Sequence, residues 1–597
     1  MIIGQRLLTL RKLMQKNNLD YYLVPSTDAH NSEYVPECWC RRAWISGFDG
    51  SMGEALIAHE QAYLSTDGRY FLQAEQQLDG ACYQLLKQKA FAPETEQWLK
   101  THGAGKRLGV DPQLISSSRH ATLTQILAEV GGELVLLTNN LVDAARIELG
   151  EQLRLPQQPA WVYDETYSGE STIGKIEWLR EQLATNHAAG IVLNVLDEIA
   201  WLFNIRGGDV EFNPLVISYA LITATEAVLF VDETKFSPTD RQKLALAGVT
   251  LKPYAAINDY LQQFSGTLWL DGVTANYALY QAAVKNNPVL TKRSPIVQRK
   301  AQKNTSECQG MRLAHKKDAV AMIKFFYWLE NNWQNGIDEI AASDKLAQFR
   351  AQQSNYQGLS FATISGFAAN GAIIHYRATP QTAKVITDKS LYLLDSGGQY
   401  LEGTTDITRT LHLGNPTAGE KYHYTLVLKG HLALGRAKFS SGTCGEHLDI
   451  LARGPLLNNY LNYRHGTGHG VGCFLCVHEG PQKISQANSN VPLVPGMVVS
   501  NEPGYYENGN YGIRIENLCL VQEDNSLAAL DSDYGPFYHF ESLTLVPYWK
   551  SLIDFSLLSK DDIVQLNSYY QEIRREILPL LDAPEQQWLE LQLTFDN

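Results

Sequence analysis

SLYLLDSGGQYLEGTTDITRT (residues 390–410) reads as a strand, a glycine turn and a second strand. Asp395 shares parity with Leu391 and Leu393, so it extends an inward apolar face. On the second strand Asp406 shares a face with Thr404, Thr408 and Thr410. A hairpin of this kind brings two carboxylates to one side of a sheet. Unpaired carboxylates so placed repel each other, and a cation is the natural compensation. An Asp in the turn and an Asp on a solvated strand face would give the same pattern, so these 21 residues leave both readings open.

The residues downstream add to the first reading. NYRHGTGHGVGCFLCVHEGP (462–481) places His465, His469 and His478 in one glycine-rich stretch. Histidines this dense, with glycines that permit close backbone approach, point to a site rather than to satisfied core imidazoles. VPGMVVSNEPGYY (494–506) is a buried-looking strand that runs into Glu502, a costly place for a carboxylate unless it is paired or coordinating. YGIRIENLCLV (511–521) alternates, with Ile513 and Ile515 facing one way and Arg514 and Glu516 the other. A solvated edge strand would alternate in the same way. Taken together, Asp395, Asp406, His469, Glu502 and Glu516 form a set rich in hard oxygen donors. A pair of divalent ions bridged by carboxylates would use all five.

The rest of the chain supplies the frame. It has 597 residues, 44% of them apolar and 19% charged, which is ordinary globular composition. Fifty Lys and Arg against 64 Asp and Glu leave a net charge of −14, which argues against nucleic acid or an anionic membrane as partner. The opening MIIGQRLLTLRKLMQKNNLD (1–20) spaces its apolar residues helically and lacks the unbroken apolar run of a secretory signal. No stretch is long and apolar enough to span a bilayer, and eight scattered cysteines do not suggest a disulfide framework. The expectation is a soluble, cytoplasmic protein.

Two stretches look like copies of one unit. LDYYLVPSTDAH (19–30), RRAWISGFDG (41–50), EALIAHEQAYLSTDGRY (54–70) and RLGVD (107–111) are matched in order by AAGIVLNVLDEIA (188–200), WLFNIRGGD (201–209), YALITATEAVLFVDE (219–233) and LWLDG (268–272). Ordered agreement at four landmarks predicts duplicated α/β domains. LRLPQQPAWVYDETYSG (153–169) suits a linker between them, and a second boundary falls near RSPIVQRKAQKNTSE (293–307). The expected domains are 1–155, 160–300 and 305–597. The third opens on an amphipathic helix in 311–333, with apolar positions 313, 320, 323 and 327, and ends in helical material.

The order Asp, Asp, His, Glu, Glu, with these surrounding words, resembles the pita-bread metallopeptidases, which include methionine aminopeptidase, prolidase and aminopeptidase P. Within that family LDEIAWLFNIRGGD (196–209), TDGRYFLQAE (66–75), GTTDITRT (403–410), HGTGHGVG (465–472) and NEPGYY (501–506) resemble the long, three-domain, cytosolic group of Xaa-Pro aminopeptidases. The likeness extends over essentially the whole chain. It implies a fold of two creatinase-N-like α/β domains followed by a pita-bread catalytic domain. It also implies a dinuclear metalloexopeptidase that releases the N-terminal residue from peptides with proline second, working as a homodimer.

The resemblance further implies roles. Asp395 would bind one metal through both oxygens, Asp406 and Glu516 would bridge the pair, and His469 and Glu502 would complete opposite ends. His375, in NGAIIHYRA (370–378), His465 and His478 match the family's substrate-binding, transition-state-stabilising histidines. Glu502 would also carry the proton. Arg514, on the strand face of Glu516, would hold a ligand carboxylate. Manganese is favoured by both the resemblance and the carboxylate-rich donor set, with zinc or cobalt as alternatives. Cys473 and Cys476 depart from the family's pattern. Their C-x-x-C spacing lacks a second pair, so packing of two small thiols is the expectation. The rival functions are prolidase, a dipeptidase on the same fold, and a binding module without turnover.

Overall fold

A computed structural model describes residues 2–88, 94–530 and 532–595. The chain divides into two compact units, Met1–Val297 and Gln298–Asn597. The first unit holds two six-stranded sheets. One is built from Tyr21–Pro25, Glu54–Ala58, Ala62–Thr66, Tyr83–Lys87, Arg107–Val110 and Glu133–Leu136. The other is built from Gly190–Leu193, Tyr219–Thr223, Ala227–Phe230, Val249–Lys252, Leu268–Leu270 and Val289–Thr291. Numbered along the chain within each sheet, both have the strand order 4-3-2-1-5-6. In both, strand 2 runs antiparallel to 1 and 3, while the pairs 3–4, 1–5 and 5–6 are parallel. Shared order and shared strand directions are what duplication predicts. The segments matched in the sequence supply strands 1, 2, 3 and 5 of each sheet.

The second unit carries every candidate site residue. It opens on the helix Thr305–Asn332, started by a capping box in which Asn304 accepts from Glu307 N and Glu307 accepts from Asn304 N. The buried stripe runs through Met311, Ala314, Met322, Phe325 and Leu329. Leu313, expected inside, is 45% exposed, because it lies about 200° around the helix from Met311. Val320 and Ile323 are buried as expected.

Two antiparallel sheets form the body of this unit. A three-stranded sheet has Tyr392–Ser396 between Ile364–Phe367 and Ile407–Leu411. A six-stranded sheet runs in the order Lys438–Ser440, Phe537–Ser542, Asn517–Glu523, Val498–Asn501, Gly468–Gly470 and Glu479–Ile484. Besides the first helix, the unit contains Glu339–Ala351, Ala418–Gly435, Gly445–Leu457, Lys560–Glu576 and Ala583–Leu593. The two C-terminal helices are the helical ending expected from the sequence.

Two strand readings need correction. Residues 390–410 do not form a simple hairpin. Asp395 is paired with Thr408, but between them Gly398–Tyr400 and Gly403–Thr404 pair with each other, and Gly398–Tyr400 also pairs with Tyr356–Leu359. Thr404 therefore belongs to a different sheet from Thr408 and Thr410. Residues 511–521 are not one strand either. Tyr511–Arg514 pairs with Gly504–Glu507, Asn517–Glu523 joins the six-stranded sheet, and Glu516 lies in the break between them. Among the described residues no helix is long and apolar enough to cross a membrane.

Candidate metal centre

The five candidate ligands sit in or beside strands from the two sheets. Asp395 lies within Tyr392–Ser396, and Asp406 lies just before Ile407–Leu411. His469 is the middle residue of Gly468–Gly470. Its flanking glycines are needed for close approach: a Cβ on Gly468 would run into Ser500 O, and one on Gly470 into Glu479 O. Glu502 follows Val498–Asn501, with its amide donating to Thr467 O at 2.8 Å. Glu516 is tied to the first sheet, because its amide donates to Thr408 O at 3.1 Å and Thr408 Oγ1 donates to its Oε2 at 2.8 Å. The strand carrying Arg514 and leading to Glu516 is no solvated edge. Ile513, Arg514, Ile515 and Glu516 are all buried.

Ligand-capable atoms of Asp406, His469 and Glu516 lie within 4.8 Å of one another. His469 Nε2 is 3.4 Å from Asp406 Oδ2 and 3.6 Å from Glu502 Oε1. Arg514 Nη2 donates to Asp395 Oδ2 at 2.6 Å, and its Nε donates at 3.3 Å to Thr408 Oγ1, the hydroxyl that donates to Glu516.

Three features test whether a cation suits this set. His469 Nδ1 lies 2.9 Å from the carbonyl oxygen of Gly470, which can only accept, so the Nδ1 proton is committed there. In the neutral ring the Nε2 lone pair then faces two carboxylates, an arrangement that calls for a proton or a metal between them. Asp395 Oδ1 and Glu516 Oε1 are buried and have no hydrogen-bond partner among the described residues. Finally, the carboxylates strain against one another. Burial, reinforced by Asp406 and Glu502 and offset by Arg514, pushes the Asp395 carboxyl up to about 7. Burial, then the charges of Asp406, Glu502 and Asp395, raises Glu516 well above the usual carboxylate range. Burial also raises Glu502. Burial opposes charge on His469, but Asp406 and Glu502 outweigh it and raise the imidazole to about 9. Divalent cations would offset the repulsion among these carboxylates and take the place of the proton on His469 Nε2, so the donor set fits a metal.

The other predicted residues lie around this cluster. The His478 ring meets the His469 ring edge-on, with centroids 4.4 Å apart. His465 Nδ1 donates to Gly466 O at 2.7 Å, so its Nε2 accepts from Tyr506 Oη at 2.8 Å. Tyr506 Oη in turn accepts from Arg514 Nη1 at 2.7 Å. Arg514 Nη2 also donates to Ile374 O at 3.3 Å, beside His375. Arg514 thus connects Asp395, the His375 segment and, through Tyr506, His465. Tyr506 was missed in the sequence, although a signal was present. In the Gly504–Glu507/Tyr511–Arg514 hairpin Tyr506 pairs with Gly512, which makes it the same-face diagonal neighbour of Arg514.

Arg409 was missed too. It is fully buried and donates to Glu516 O at 2.6 Å, Thr408 O at 2.8 Å, Asn517 Oδ1 at 2.7 Å and Val546 O at 2.7 Å. Cys473 packs with Met311, Val471, Val498, Leu518, Leu520 and Leu543, and its Sγ donates to Glu402 O at 3.4 Å. Neither Cys473 nor Cys476 belongs to the ligand group found among the described residues.

Comparison with known proteins agrees with this geometry. Residues 309–523 match the model of metallopeptidase family M24, and 536–593 match the C-terminal region of that peptidase family. Residues 6–147 and 151–307 each match a creatinase/prolidase N-terminal domain. A probable Xaa-Pro aminopeptidase P of Sordaria macrospora is 44% identical, over 97% of this chain and 97% of that one. Its counterpart in Laccaria bicolor is 43% identical over 98% of this chain and 92% of that one. The chain belongs to metallopeptidase family M24. A solved structure of X-prolyl aminopeptidase from Caenorhabditis elegans, described as a cytosolic enzyme with a di-nuclear active site, superposes with a TM-score of 0.94. That protein is 35% identical, with all of both chains covered. The M24 assignment accounts for the fold, two creatinase-type domains ahead of a pita-bread unit, and makes this chain a metallopeptidase.

Proposed function

We propose that this M24 enzyme is an aminopeptidase that uses two divalent ions to release the N-terminal residue from peptides with proline in second place. The observation that carries the reading is the buried carboxylate cluster with two orphaned oxygens and a histidine whose Nε2 faces it. Near-full-length identity above 40% to proteins named for this activity supports it.

In this reading Asp395, Asp406, His469, Glu502 and Glu516 would hold the two ions, and Asp406 and Glu516 would serve both. The metals, manganese by preference, would supply Lewis acidity and a water acidic enough to ionise near neutral pH. Glu502 takes the nucleophile's proton and passes it to the departing proline nitrogen. His478 donates to the developing oxyanion, and His375 and His465 bind the peptide. Arg514 keeps Asp395 and Tyr506 in place. Proline is favoured second because its compact, φ-locked ring enters a pocket at low entropic cost. The domain limits 1–155, 160–300 and 305–597 belong to the same proposal. From the resemblance alone we infer a homodimer in the cytoplasm, to be checked by sedimentation and fractionation.

The discriminating experiment compares kcat/KM for Xaa-Pro-Pro, Xaa-Pro and Xaa-Ala-Pro at one metal concentration. The tripeptide with proline second should be cut best. Preference for the free dipeptide would make the enzyme a prolidase, and indifference to alanine in second place would remove proline specificity.

A further inference from the structure

Glu339 begins the helix Glu339–Ala351 and is fully buried. The helix does not need its carboxylate, because Asp338 is the cap and accepts from Ala341 N at 2.7 Å. The Glu339 oxygens turn instead to a different segment. They accept from Phe367 N at 2.6 Å, from Asn370 Nδ2 at 3.0 Å on each oxygen, from Tyr376 Oη at 2.9 Å and from Lys384 N at 3.0 Å. Among the described residues no cation forms an ion pair with this carboxylate. Its lost hydration is replaced entirely by hydrogen bonds from residues 367–384.

His375 lies in the middle of that segment. On one side its neighbour Tyr376 is held by Glu339. On the other side the carbonyl of Ile374 is held by Arg514, the residue that also holds Asp395. Beneath the segment, Gly371 packs so closely on Gly512 that a Cβ there would run into Gly371 O. His375 is therefore clamped between a buried anion and a buried cation. The amides of Phe367 and Lys384, one on each oxygen, can only donate, so a glutamine in place of Glu339 would turn its N–H₂ toward one of them.

We propose that Glu339 is a positioning residue for catalysis: by holding Tyr376 and the 367–384 segment, it sets where His375 meets the peptide. This rests on the reading of His375 as a substrate-binding residue. A role exerted through His375 differs measurably from a merely structural one, because its effect should vanish once the imidazole is gone.

The test measures kcat, KM, metal content and Tm for Glu339→Gln, Tyr376→Phe, His375→Ala and the double variants Glu339→Gln/His375→Ala and Tyr376→Phe/His375→Ala, using Xaa-Pro-Pro. Glu339→Gln should keep its metal and lose roughly tenfold in kcat/KM. In the His375→Ala background the same change should cost less than about twofold. Tyr376→Phe takes one donor from Glu339, together with the hydroxyl's contacts to Asn370 Nδ2 and Thr382 Oγ1, and leaves the other donors in place, so it should show the same coupling with a smaller loss, and it decides the question should Glu339→Gln not fold. Equal losses in both backgrounds, or full activity of Glu339→Gln, would overturn the proposal. Wild-type turnover by His375→Ala would instead remove the role of His375, and the proposal with it.

Discussion

Arg514 Nη2 and Asp395 Oδ2 are 2.6 Å apart, with side chains only 2% and 10% exposed. This pair joins the acidic cluster to its surroundings. The same guanidinium reaches Tyr506 Oη and Ile374 O, which the planar fork of arginine can do and a lysine ammonium cannot. Arg514→Lys should therefore weaken metal retention or activity about 10–100-fold, the usual cost of losing a ligand's supporting partner. Metal analysis and kcat on the same samples would check it. Unchanged values would mean that Asp395 needs no such support.

Asp406→Asn should be nearly inactive. Asp406 faces His469 and Glu516 within the same 4.8 Å cluster, and a neutral amide shares two cations poorly. Turnover close to normal by a metal-depleted sample of this variant would exclude Asp406 as a shared ligand.

His478→Ala should lower kcat more than it raises KM, by about 10²–10³, the range for removing a donor to a developing oxyanion. Its ring sits against that of His469, near but outside the tight ligand group. A large change in KM with kcat preserved would move His478 to ground-state binding.

Changing both Cys473 and Cys476 to Ser should leave metal content and kcat largely intact. Cys473 is a packing residue whose thiol already donates to Glu402 O, a bond that a hydroxyl can keep. Loss of one metal equivalent per chain would show that the thiols take part in a site.

Much of this was legible because strand parity and chemical cost are local. The sheets of the first unit follow from four matched landmarks, and buried carboxylates at strand ends announce themselves by their expense. What was hidden depends on contacts far apart in sequence. Arg409 is 107 residues from Glu516, whose carbonyl it holds, and Glu339 is 37 from Tyr376. Nothing in the neighbourhood of either residue says where its side chain will go. The interrupted hairpin at 397–404 was unreadable for the same reason, since its partner strand, Tyr356–Leu359, pairs across a gap of 39 to 44 residues. Leu313 was misplaced because a 28-residue helix offers more than one apolar stripe, and only the packed structure selects among them.

In the proposed function the buried carboxylate cluster works by holding two metal ions. The most direct measurement strips the enzyme with a chelator, then titrates Mn²⁺ back while following hydrolysis of Xaa-Pro-Pro and bound metal together. The stripped enzyme should show negligible turnover, and recovery should saturate at two equivalents per chain. Turnover that survives complete removal of metal, or a chain that binds none, would contradict the proposed function.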